Sequence, residues 1–480
     1  MKTNILNITL VAITCFFYAC SEPLEEETYS VLGPSNFYNT AEDAEALLNG
    51  VYVPSQGYRD IARDYLLFNE MTTDILIERG GGINANTQPV EDFEWSTTHP
   101  WLANLWNRYY MAIYRANTTI DQVPNIEMDE NRKDQIIAEA RFLRAFNYFR
   151  LYNLFGPVPL ILTSETSVTD RPERATREEL FSFLETEFSQ VSTILPQTQE
   201  EYGRATSGAA LGFLTKFYLN NKNWPDAAAT AEEIITSGVY DLYDGESRAD
   251  LFALVNEGDN EFIFVAPFPE NTSSGLGNTY LSHAAPPGYQ FLYPPKVNFA
   301  AQFKIRSEFL EIFTAADERL DAFVFEYQNQ NGDIVSLGED DVRSFKYPED
   351  PNGLGDISGN DWPYLRYADI LLARAEALNE LEGPNTVSVD YINQIRTVSG
   401  LATVNVSDFS GTDDLRSFIL EERGREFHTE GLRRQDLIRH GEYIKRAQER
   451  GLPASDYQVL FPIPQAEIDK NPNLQQNDGY

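Results

Sequence analysis

Three groups of aromatic and polar residues lie outside the regular apolar patterns of this 480-residue chain. They comprise Asp74, Arg79, Asn86, Trp95 and Trp101 in the first group, Tyr280, Tyr289, Phe291 and Tyr293 in the second, and Trp362 in the third. Aromatic rings can stack on the flat faces of pyranose sugars, and carboxylate, amide and guanidinium groups can pair with sugar hydroxyls. The residue types therefore predict a site for an oligosaccharide.

Each residue type suggests a role in such a site. The expected stacking platforms are Trp95, Trp101, Tyr289 and Trp362, and the expected hydroxyl partners are Asp74, Arg79 and Asn86. Phe291 and Tyr293 complete the set of candidate ligand-binding residues. For every aromatic residue, the alternative interpretation is packing beneath a long loop, because large rings are often buried.

Carboxylate pairs raise the question of an enzyme, since glycosidases need two acids a few ångströms apart. One predicted helix carries acidic and basic residues close together: Glu421, Glu422, Arg423, Arg425 and Glu426. Glu421 and Arg425 have i,i+4 spacing. Charges at this spacing favour a structural ion-pair network over a catalytic pair, and the same applies to Asp369, Arg374 and Glu376. We therefore expect no catalytic residues, with a surface glycosidase as the disfavoured alternative.

Metal-binding patterns are weak in this sequence. The histidines show neither an HExxH motif nor paired ligand spacing, which disfavours zinc; they are His99, His283, His428 and His440. One loop is rich in oxygen ligands: Asp350, Asn352, Asp356, Asn360 and Asp361. Calcium takes such ligands, but their spacing is not that of an EF-hand loop. We therefore expect no cofactor, and structural calcium is an alternative that no motif supports.

The chain carries a formal net charge of −37, and aromatic residues make up 13% of it. Such negative charge repels phosphate backbones, which excludes nucleic acid as a partner class. The aromatic residues supply enough apolar surface to exclude disorder for most of the length. Both cysteines, Cys15 and Cys20, lie close to the N-terminus, so no disulfide is expected in the rest of the chain.

The N-terminus has the pattern of an export signal. Lys2 precedes an apolar run over residues 5–18 that is too short for a membrane span, and the small Ala19 comes just before Cys20. We interpret residues 1–19 as a lipoprotein signal peptide, Cys20 as the lipidation site, and residues 20–38 as an acidic tether. The alternative is an ordinary secretory signal that is cut after Ala19 and leaves Cys20 as a free thiol.

Helical periodicity dominates the chain up to about residue 240. Capping-box spacings at Thr40-x-x-Asp43 and Thr176-x-x-Glu179 each predict a helix start, and residues 136–154 form a helix that is apolar on two faces. A helix pair over 206–219 and 225–236 fits the tetratricopeptide period of about 34 residues. These patterns predict a scaffold of stacked helical pairs.

The helical signal fades between residues 240 and 362, where Asn331-Gly332 predicts a β-hairpin. Long loops of this kind often carry function. Helices are predicted again at 364–381, 389–398, 415–427 and 432–444. The predicted fold class is therefore mostly α, a tetratricopeptide-like scaffold of helical pairs with long irregular loops and a small β-hairpin.

Four stretches resemble the SusD/RagB family of outer-membrane nutrient-binding lipoproteins. They are AEARFLRA at 138–145 running into FGPVPL at 155–160, YLRYADILLARAEA at 364–377, EERGREF at 421–427 followed by GLRRQDL at 431–437, and PIP at 462–464 with NPNLQQNDGY at 471–480. Together with the N-terminal signal, the resemblance spans nearly the whole chain. It implies an N-terminal SusD-like helical region over 39–240 and a C-terminal RagB/SusD region with ligand loops over 241–480, packed as one body.

The resemblance also implies a function. A member of this family would be a non-catalytic lipoprotein on the outer face of the bacterial outer membrane, anchored through Cys20. Its partner would be a SusC-like TonB-dependent transporter, over which it lies as a lid. Its ligand would be an oligosaccharide, or a peptide in the case of a RagB-type receptor. The ligand loops of the family vary, so the resemblance assigns no site residue.

Overall fold

The structure of the protein is a computed structural model that describes residues 38–57, 61–78, 80–167, 169–269, 276–293, 296–300 and 302–480. The interpreted signal peptide over 1–19, Cys20 and all but the last residue of the tether lie outside the described residues, as does Arg79. Within the described part of the chain, no helix is long and apolar enough to cross a membrane.

Helices form most of the described structure. They are α1 (Ala41–Gln56), α2 (Asn84–Glu91), α3 (Pro100–Gln122), α4 (Glu130–Phe155), α5 (Arg177–Ser192), α6 (Ser207–Asn220), α7 (Trp224–Ser237), α8 (Tyr280–Ala284), α9 (Ser307–Leu310), α10 (Tyr367–Glu382), α11 (Thr386–Val398), α12 (Thr412–Phe427), α13 (Arg433–His440), α14 (Tyr443–Glu449) and α15 (Gln465–Lys470). Successive helices pack in pairs, α6 on α7 and α10 on α11, and α10 also packs on α7. The predicted scaffold of helical pairs is confirmed.

Short strands complete the described structure in two-stranded antiparallel sheets. The strands are β1 (Leu76–Ile77), β2 (Phe262–Ala266), β3 (Lys304–Ile305), β4 (Phe323–Val324), β5 (Glu326–Gln328), β6 (Ile334–Ser336), β7 (Arg343–Ser344) and β8 (Trp362–Arg366). They pair as β1 with β3, β2 with β8, β4 with β7, and β5 with β6. The hairpin predicted at Asn331-Gly332 is confirmed as β5 and β6.

Two helices begin where the capping boxes predict. At the start of α1, the Thr40 hydroxyl accepts a hydrogen bond from the Asp43 amide at 3.2 Å, and the Asp43 carboxylate accepts one from the Thr40 amide at 2.9 Å. Thr176 and Glu179 form the same reciprocal pair at the start of α5. Each pair satisfies two backbone donors that a helix start otherwise leaves without partners.

One helix start predicted in the C-terminal region needs correction. The helix predicted from Tyr364 begins at Tyr367, because the preceding residues form β8. Antiparallel pairing with β2 aligns Arg366 with Phe262 and holds this segment extended. A sheet contact with a strand about 100 residues earlier therefore overrides the local helical periodicity.

A second correction concerns residues 432–444, which were predicted as one helix. They belong to two helices, α13 and α14. Gly441 follows α13 with φ of +75°, in the left-handed region that glycine adopts without strain. The chain turns at this glycine and begins α14 at Tyr443 in a new direction.

α4 lies at the centre of the helical scaffold. Its buried residues include Phe142, Phe146 and the charged Arg150. The ring centroid of Phe146 lies 4.8 Å from that of Phe213 in α6 and 5.0 Å from that of Tyr364 in β8. As its two apolar faces predict, α4 packs between other elements, and one continuous core includes residues from both regions of the chain.

Candidate ligand-binding surface

Five large apolar side chains are exposed on two neighbouring loops, one after α8 and one between β7 and β8. They are Leu292, Tyr293, Val297 and Phe299 on one loop and Leu354 on the other, and we call them the loop surface. Leu292 is 73% exposed, Tyr293 42% and Phe299 37%. Exposed rings grouped with aliphatic side chains are typical of binding surfaces, because isolated soluble domains usually cover such groups.

A small apolar cluster supports the loop surface from below. It consists of Leu281, Ala285 and Phe291, with Tyr289 and Phe345 packed against it, and it is separate from the main core. The Tyr289 ring centroid lies 5.1 Å from that of Phe291 and 5.2 Å from that of Phe345. The loop therefore rests on its own packed base, which fixes the position of the exposed side chains above it.

Glu349 holds the first part of this loop. Its carboxylate accepts hydrogen bonds from the Tyr289 hydroxyl at 3.0 Å, the Leu292 amide at 2.9 Å and the Tyr293 amide at 3.4 Å. Burial, followed by the charge of Glu349, raises the pKa of the Tyr289 hydroxyl, which therefore stays protonated and can donate. One side chain thus fixes three points of the loop that presents Tyr293.

Backbone contacts hold the second part. The Lys296 ammonium group donates to the carbonyl oxygens of Asp350, at 2.6 Å, and of Gly353. The Val297 amide donates to the Gly355 carbonyl at 2.6 Å, which joins the two loops of the loop surface. Burial lowers the pKa of Lys296, and its charge is committed to these carbonyl groups. The loop surface therefore exposes aromatic rings and aliphatic groups, while the Lys296 ammonium group points toward backbone carbonyls.

Strand pairing brings the turn after β1 close to the loop surface. Leu76 of β1 lies opposite Ile305 of β3, and the strands are antiparallel, so the turn after β1 lies beside the segment before β3. Gly82 accordingly lies against the Gln302 side chain. Gln302 contacts His283, whose ring centroid lies 4.9 Å from that of Phe299. The polar turn over residues 80–83, followed by the start of α2, therefore borders the loop surface.

The three tryptophans expected to stack on a ligand are buried, and their predicted role is corrected. Trp95 packs against Phe461, with ring centroids 4.9 Å apart, and Trp101 is covered by the Arg63 guanidinium at 4.5 Å. Trp362 is fully buried and stacks on Tyr347 at 5.4 Å. The packing interpretation applies to all three, because neighbouring side chains already cover their faces.

Other predicted residues divide between the core and the surface. Asp74 is buried and paired with Arg433 and Arg446, so its predicted role as a hydroxyl partner is corrected to a structural one. Phe291 is buried beneath the loop. Tyr289 is half-buried, Tyr293 is exposed, and Asn86 is half-buried near the bordering turn. Arg79 lies outside the described residues.

Sequence reasoning missed several residues of this surface. Leu292, Val297, Phe299 and Leu354 were not predicted as candidates, and neither was the supporting Glu349. A usable signal was present, since Leu292 and Val297 flank Pro294 and Pro295 in a stretch without helical or strand periodicity. Apolar residues in such a stretch are exposed more often than those on a periodic face.

The mixed charges of α12 form the structural network that their spacing predicts. Glu426 contacts Arg248, Arg319 and Arg366, and Glu421 contacts Arg433 and Arg446. These pairs join α12 to several other elements. The expected i,i+4 pair is corrected, because Arg425 binds Glu422 at 2.7 Å and not Glu421.

The protonation states of α12 fit a structural role. Burial alone would raise the pKa of Glu422, but Arg319 and Arg425 hold it at about 2. A carboxyl group with that pKa stays ionised at neutral pH and is a poor general acid. The α12 carboxylates therefore serve packing and charge compensation.

Asp350, one of the oxygen ligands in the acidic loop, binds the backbone of its own loop. Its two carboxylate oxygens accept hydrogen bonds from the amides of Asn352 and Gly359, each at 2.7 Å. This arrangement is a loop-closing Asx turn. Among the described residues, no group of three or more His, Cys, Asp or Glu side chains is arranged to hold a metal ion.

Two family models match the chain. Residues 24–219 match the model described as starch-binding associating with outer membrane, and residues 341–480 match the model described as the SusD family. The matched ranges include all four stretches that carry the resemblance in the sequence.

Curated relatives align with most of the chain. SusD-like protein P2 from Formosa agariphila is 26% identical over 506 residues, which cover 98% of this chain and 99% of that protein. The starch-binding protein SusD from Bacteroides thetaiotaomicron is 24% identical over 468 residues, which cover 83% of this chain and 82% of that protein.

Solved structures share the fold. A laminarin-binding SusD-like protein has a TM-score of 0.79 at 23% identity, covering 92% of this chain and 100% of that chain. A SusD homolog from Bacteroides thetaiotaomicron has a TM-score of 0.77 at 26% identity, covering 93% of this chain and 98% of that chain. These likenesses confirm the fold class predicted from the sequence.

Proposed function

The chain belongs to the SusD family, and we propose that it binds oligosaccharides or polysaccharide fragments without cleaving them. The observation that carries the proposal is the loop surface, where the exposed rings of Tyr293 and Phe299 stand on loops fixed by Glu349 and Lys296. A starch-binding relative and a laminarin-binding structure support carbohydrate as the ligand class.

The chemistry of the loop surface suits a neutral sugar chain. The faces of pyranose rings are apolar and flat, so they can lie against Tyr293 and Phe299. Their hydroxyl groups can reach Asn84 and Asn86 at the start of α2, beside the bordering turn, and the exposed Asn352. An open surface of this kind can accept a segment within a long polysaccharide as well as a free end.

Substitution of Tyr293 tests the proposal directly. We expect Tyr293→Ala to weaken glycan binding by about fivefold to tenfold, because one stacked ring contributes roughly 1–1.4 kcal/mol. The measurement is a glycan array of neutral oligosaccharides, including laminarin and starch fragments, with the soluble protein from residue 28 onward. Tyr457→Ala is the matched control, since Tyr457 is 41% exposed and lies outside the loop surface.

Two alternatives give different results in the same experiment. A peptide array beside the glycan array tests the RagB-type receptor, and binding of peptides but no glycan would replace our proposal with that function. A hydrolysis assay on every bound glycan tests the surface glycosidase. Release of shorter sugars by the purified protein would show that binding is accompanied by catalysis.

The cellular part of the proposal concerns the outer membrane and a transporter. We propose that Cys20 carries a lipid anchor that places the protein on the extracellular face, where it passes glycans to a SusC-like TonB-dependent transporter. The lipoprotein pattern before Cys20 and the outer-membrane family model support this proposal. A tether keeps a binding protein at high effective concentration near its partner.

Cys20→Ala tests the anchor. We expect the variant to leave the membrane fraction while its soluble form keeps glycan affinity. Retention of the variant at the membrane would show that another contact anchors the protein. Co-purification of a TonB-dependent transporter with the wild-type lipoprotein tests the partner, and its absence from cross-linked outer membranes would contradict that part.

A further inference from the structure

A cavity lies between α3 and the connection that joins α4 to α5, well before the loop surface in the sequence. Its volume is about 680 Å³, within the range of roughly 300–1,000 Å³ that is usual for small-molecule sites. Its lining includes Ile113, Tyr114, Leu160, Leu162, Glu165 and Asp170. No residue of the loop surface contributes to it, so it is an independent candidate site.

Hydrogen bonds fix the first end of the connection that forms one wall of this cavity. The Tyr110 hydroxyl donates to the Pro159 carbonyl at 2.8 Å, and the Asn117 amide group donates to the Ile161 carbonyl at 2.9 Å. The Asp121 carboxylate accepts from the Ser164 amide at 2.8 Å. These contacts tie the wall to α3, which forms the opposite side.

The second end of the connection is held by the C-terminal segment. The Asn471 side chain donates to the Pro172 carbonyl, and the Asn473 side chain donates to the Arg171 carbonyl, each at 2.7 Å. Both ends of the wall are therefore fixed by side-chain contacts to other parts of the fold. A preformed cavity loses little conformational entropy when it accepts a ligand.

The cavity lining combines a flat aromatic ring, an aliphatic surface and a polar rim. Tyr114 is 53% exposed on the regular helix α3, and Leu160 and Leu162 supply aliphatic surface opposite it. Glu165 and Thr166 are exposed at the rim and provide hydroxyl and carboxylate groups. A ligand that fits this lining has one apolar face and several hydroxyl groups, which is the chemistry of a saccharide.

We propose that this cavity is a second binding site for a neutral saccharide, an assignment of ligand class that rests on the proposed function. The lining holds two carboxylates, Glu165 and Asp170, and one guanidinium, Arg171, so its excess of negative charge disfavours an anionic ligand there. A polysaccharide long enough to reach both sites binds more tightly than a short oligosaccharide, which occupies only one site at a time. The second site therefore makes affinity depend on chain length.

Tyr114→Ala tests the second site, with Met111→Ala as the matched control. Met111 is 50% exposed on the same helix and does not line the cavity. The probes are laminarin and soluble starch, together with laminarihexaose, maltoheptaose and the other neutral oligosaccharides of the array, measured by affinity electrophoresis and calorimetry. We expect two short oligosaccharides per wild-type molecule, one per Tyr114→Ala molecule, and at least about tenfold weaker polysaccharide binding by that variant.

The outcomes separate this inference from the loop-surface proposal. One oligosaccharide per wild-type molecule whose binding Tyr293→Ala weakens, or Tyr114→Ala indistinguishable from Met111→Ala, overturns the second site and leaves the first. Loss of all binding in Tyr293→Ala also overturns it, because an independent second site would retain one ligand. Binding that responds to Tyr114→Ala and not to Tyr293→Ala overturns the loop surface and retains the cavity. Wild-type protein that binds none of these glycans overturns both.

Discussion

At the scale of single residues, Glu349 determines how the loop surface is presented. Its carboxylate joins the Tyr289 hydroxyl to the backbone amides of Leu292 and Tyr293. Hydrogen bonds to a charged acceptor are roughly twice as strong as those between neutral groups. Glu349 thus fixes the exposed ring of Tyr293 without itself belonging to the loop surface.

We predict that Glu349→Ala weakens glycan binding by about threefold to tenfold, because the loop loses its shared acceptor and must be ordered on binding. The glycan affinity of Glu349→Gln, which keeps one acceptor oxygen, should lie between those of Glu349→Ala and the wild type. Calorimetry with the glycan found on the array measures the effect, and Glu339→Ala, at an exposed acid, is the control. Wild-type affinity in Glu349→Ala would show that packing alone positions the loop.

Glu70 shows how one buried carboxyl group links stability to pH. It is fully buried; one oxygen accepts from the Gly431 amide at 2.8 Å, and the other has no hydrogen-bond partner among the described residues. Burial raises the pKa of Glu70 to about 8 from an ordinary value of 4.5. The folded state therefore binds a proton more tightly than the unfolded state, so this group's contribution to stability falls as pH rises between those values.

We predict that Glu70→Gln becomes progressively more stable than wild type as pH rises from about 5 to 8, by roughly 1 kcal/mol per pH unit. The neutral amide keeps an acceptor for Gly431 and has no charge to bury. Urea unfolding of both proteins at several pH values measures the difference. A constant difference across this range would show that Glu70 is ionised in the folded protein.

At the scale of elements, α12 combines close packing with buried charge. Gly424 lies inside this helix, and a Cβ atom at that position would lie 2.8 Å from the Nη1 atom of Arg433. The same guanidinium donates to the Leu420 carbonyl at 2.6 Å and pairs with Asp74. Because Gly424 has no side chain, the Arg433 guanidinium from α13 can lie against α12 and pair with Asp74 in the N-terminal region.

We predict that Gly424→Ala lowers the free energy of unfolding by about 1–2 kcal/mol, because the cost of overpacking exceeds the gain in helix propensity. Gly50 in α1 is the matched control, since a Cβ atom there meets no atom within 4 Å. Gly50→Ala should stabilise the protein by about 0.5–1 kcal/mol. Urea unfolding measures both variants, and a stabilising Gly424→Ala would show that the Arg433 side chain shifts freely.

The elements were more predictable than the site because their signals are local. Capping boxes at Thr40 and Thr176 and apolar periodicity lie within one helix length, so the sequence displays them. Burial of Trp95 depends on Phe461 and Tyr480, which follow it by more than 360 positions. Residue type alone therefore could not predict that Trp95 is buried and that Tyr293 is exposed.

At the scale of the whole molecule, charge is divided between interior and surface. Buried arginines such as Arg366, Arg423 and Arg433 are each paired with buried acids, so these charges largely cancel. The formal net charge of −37 therefore belongs mainly to solvated carboxylates. At the loop surface, Lys296 is directed to backbone carbonyls, and Glu349 contributes a negative charge.

This charge distribution predicts that the protein discriminates against anionic glycans. We expect laminarin, or whichever neutral glucan the array identifies, to bind at least about tenfold more tightly than its carboxymethylated form at low salt, because like charges repel across a surface screened only weakly. Raising the salt concentration should strengthen binding of the anionic form and leave the neutral form nearly unchanged. The opposite result, an anionic glycan that binds tightly and is released by salt, would indicate a local cationic patch. Arg79 is the residue to substitute in that case, because it directly precedes the bordering turn in the sequence.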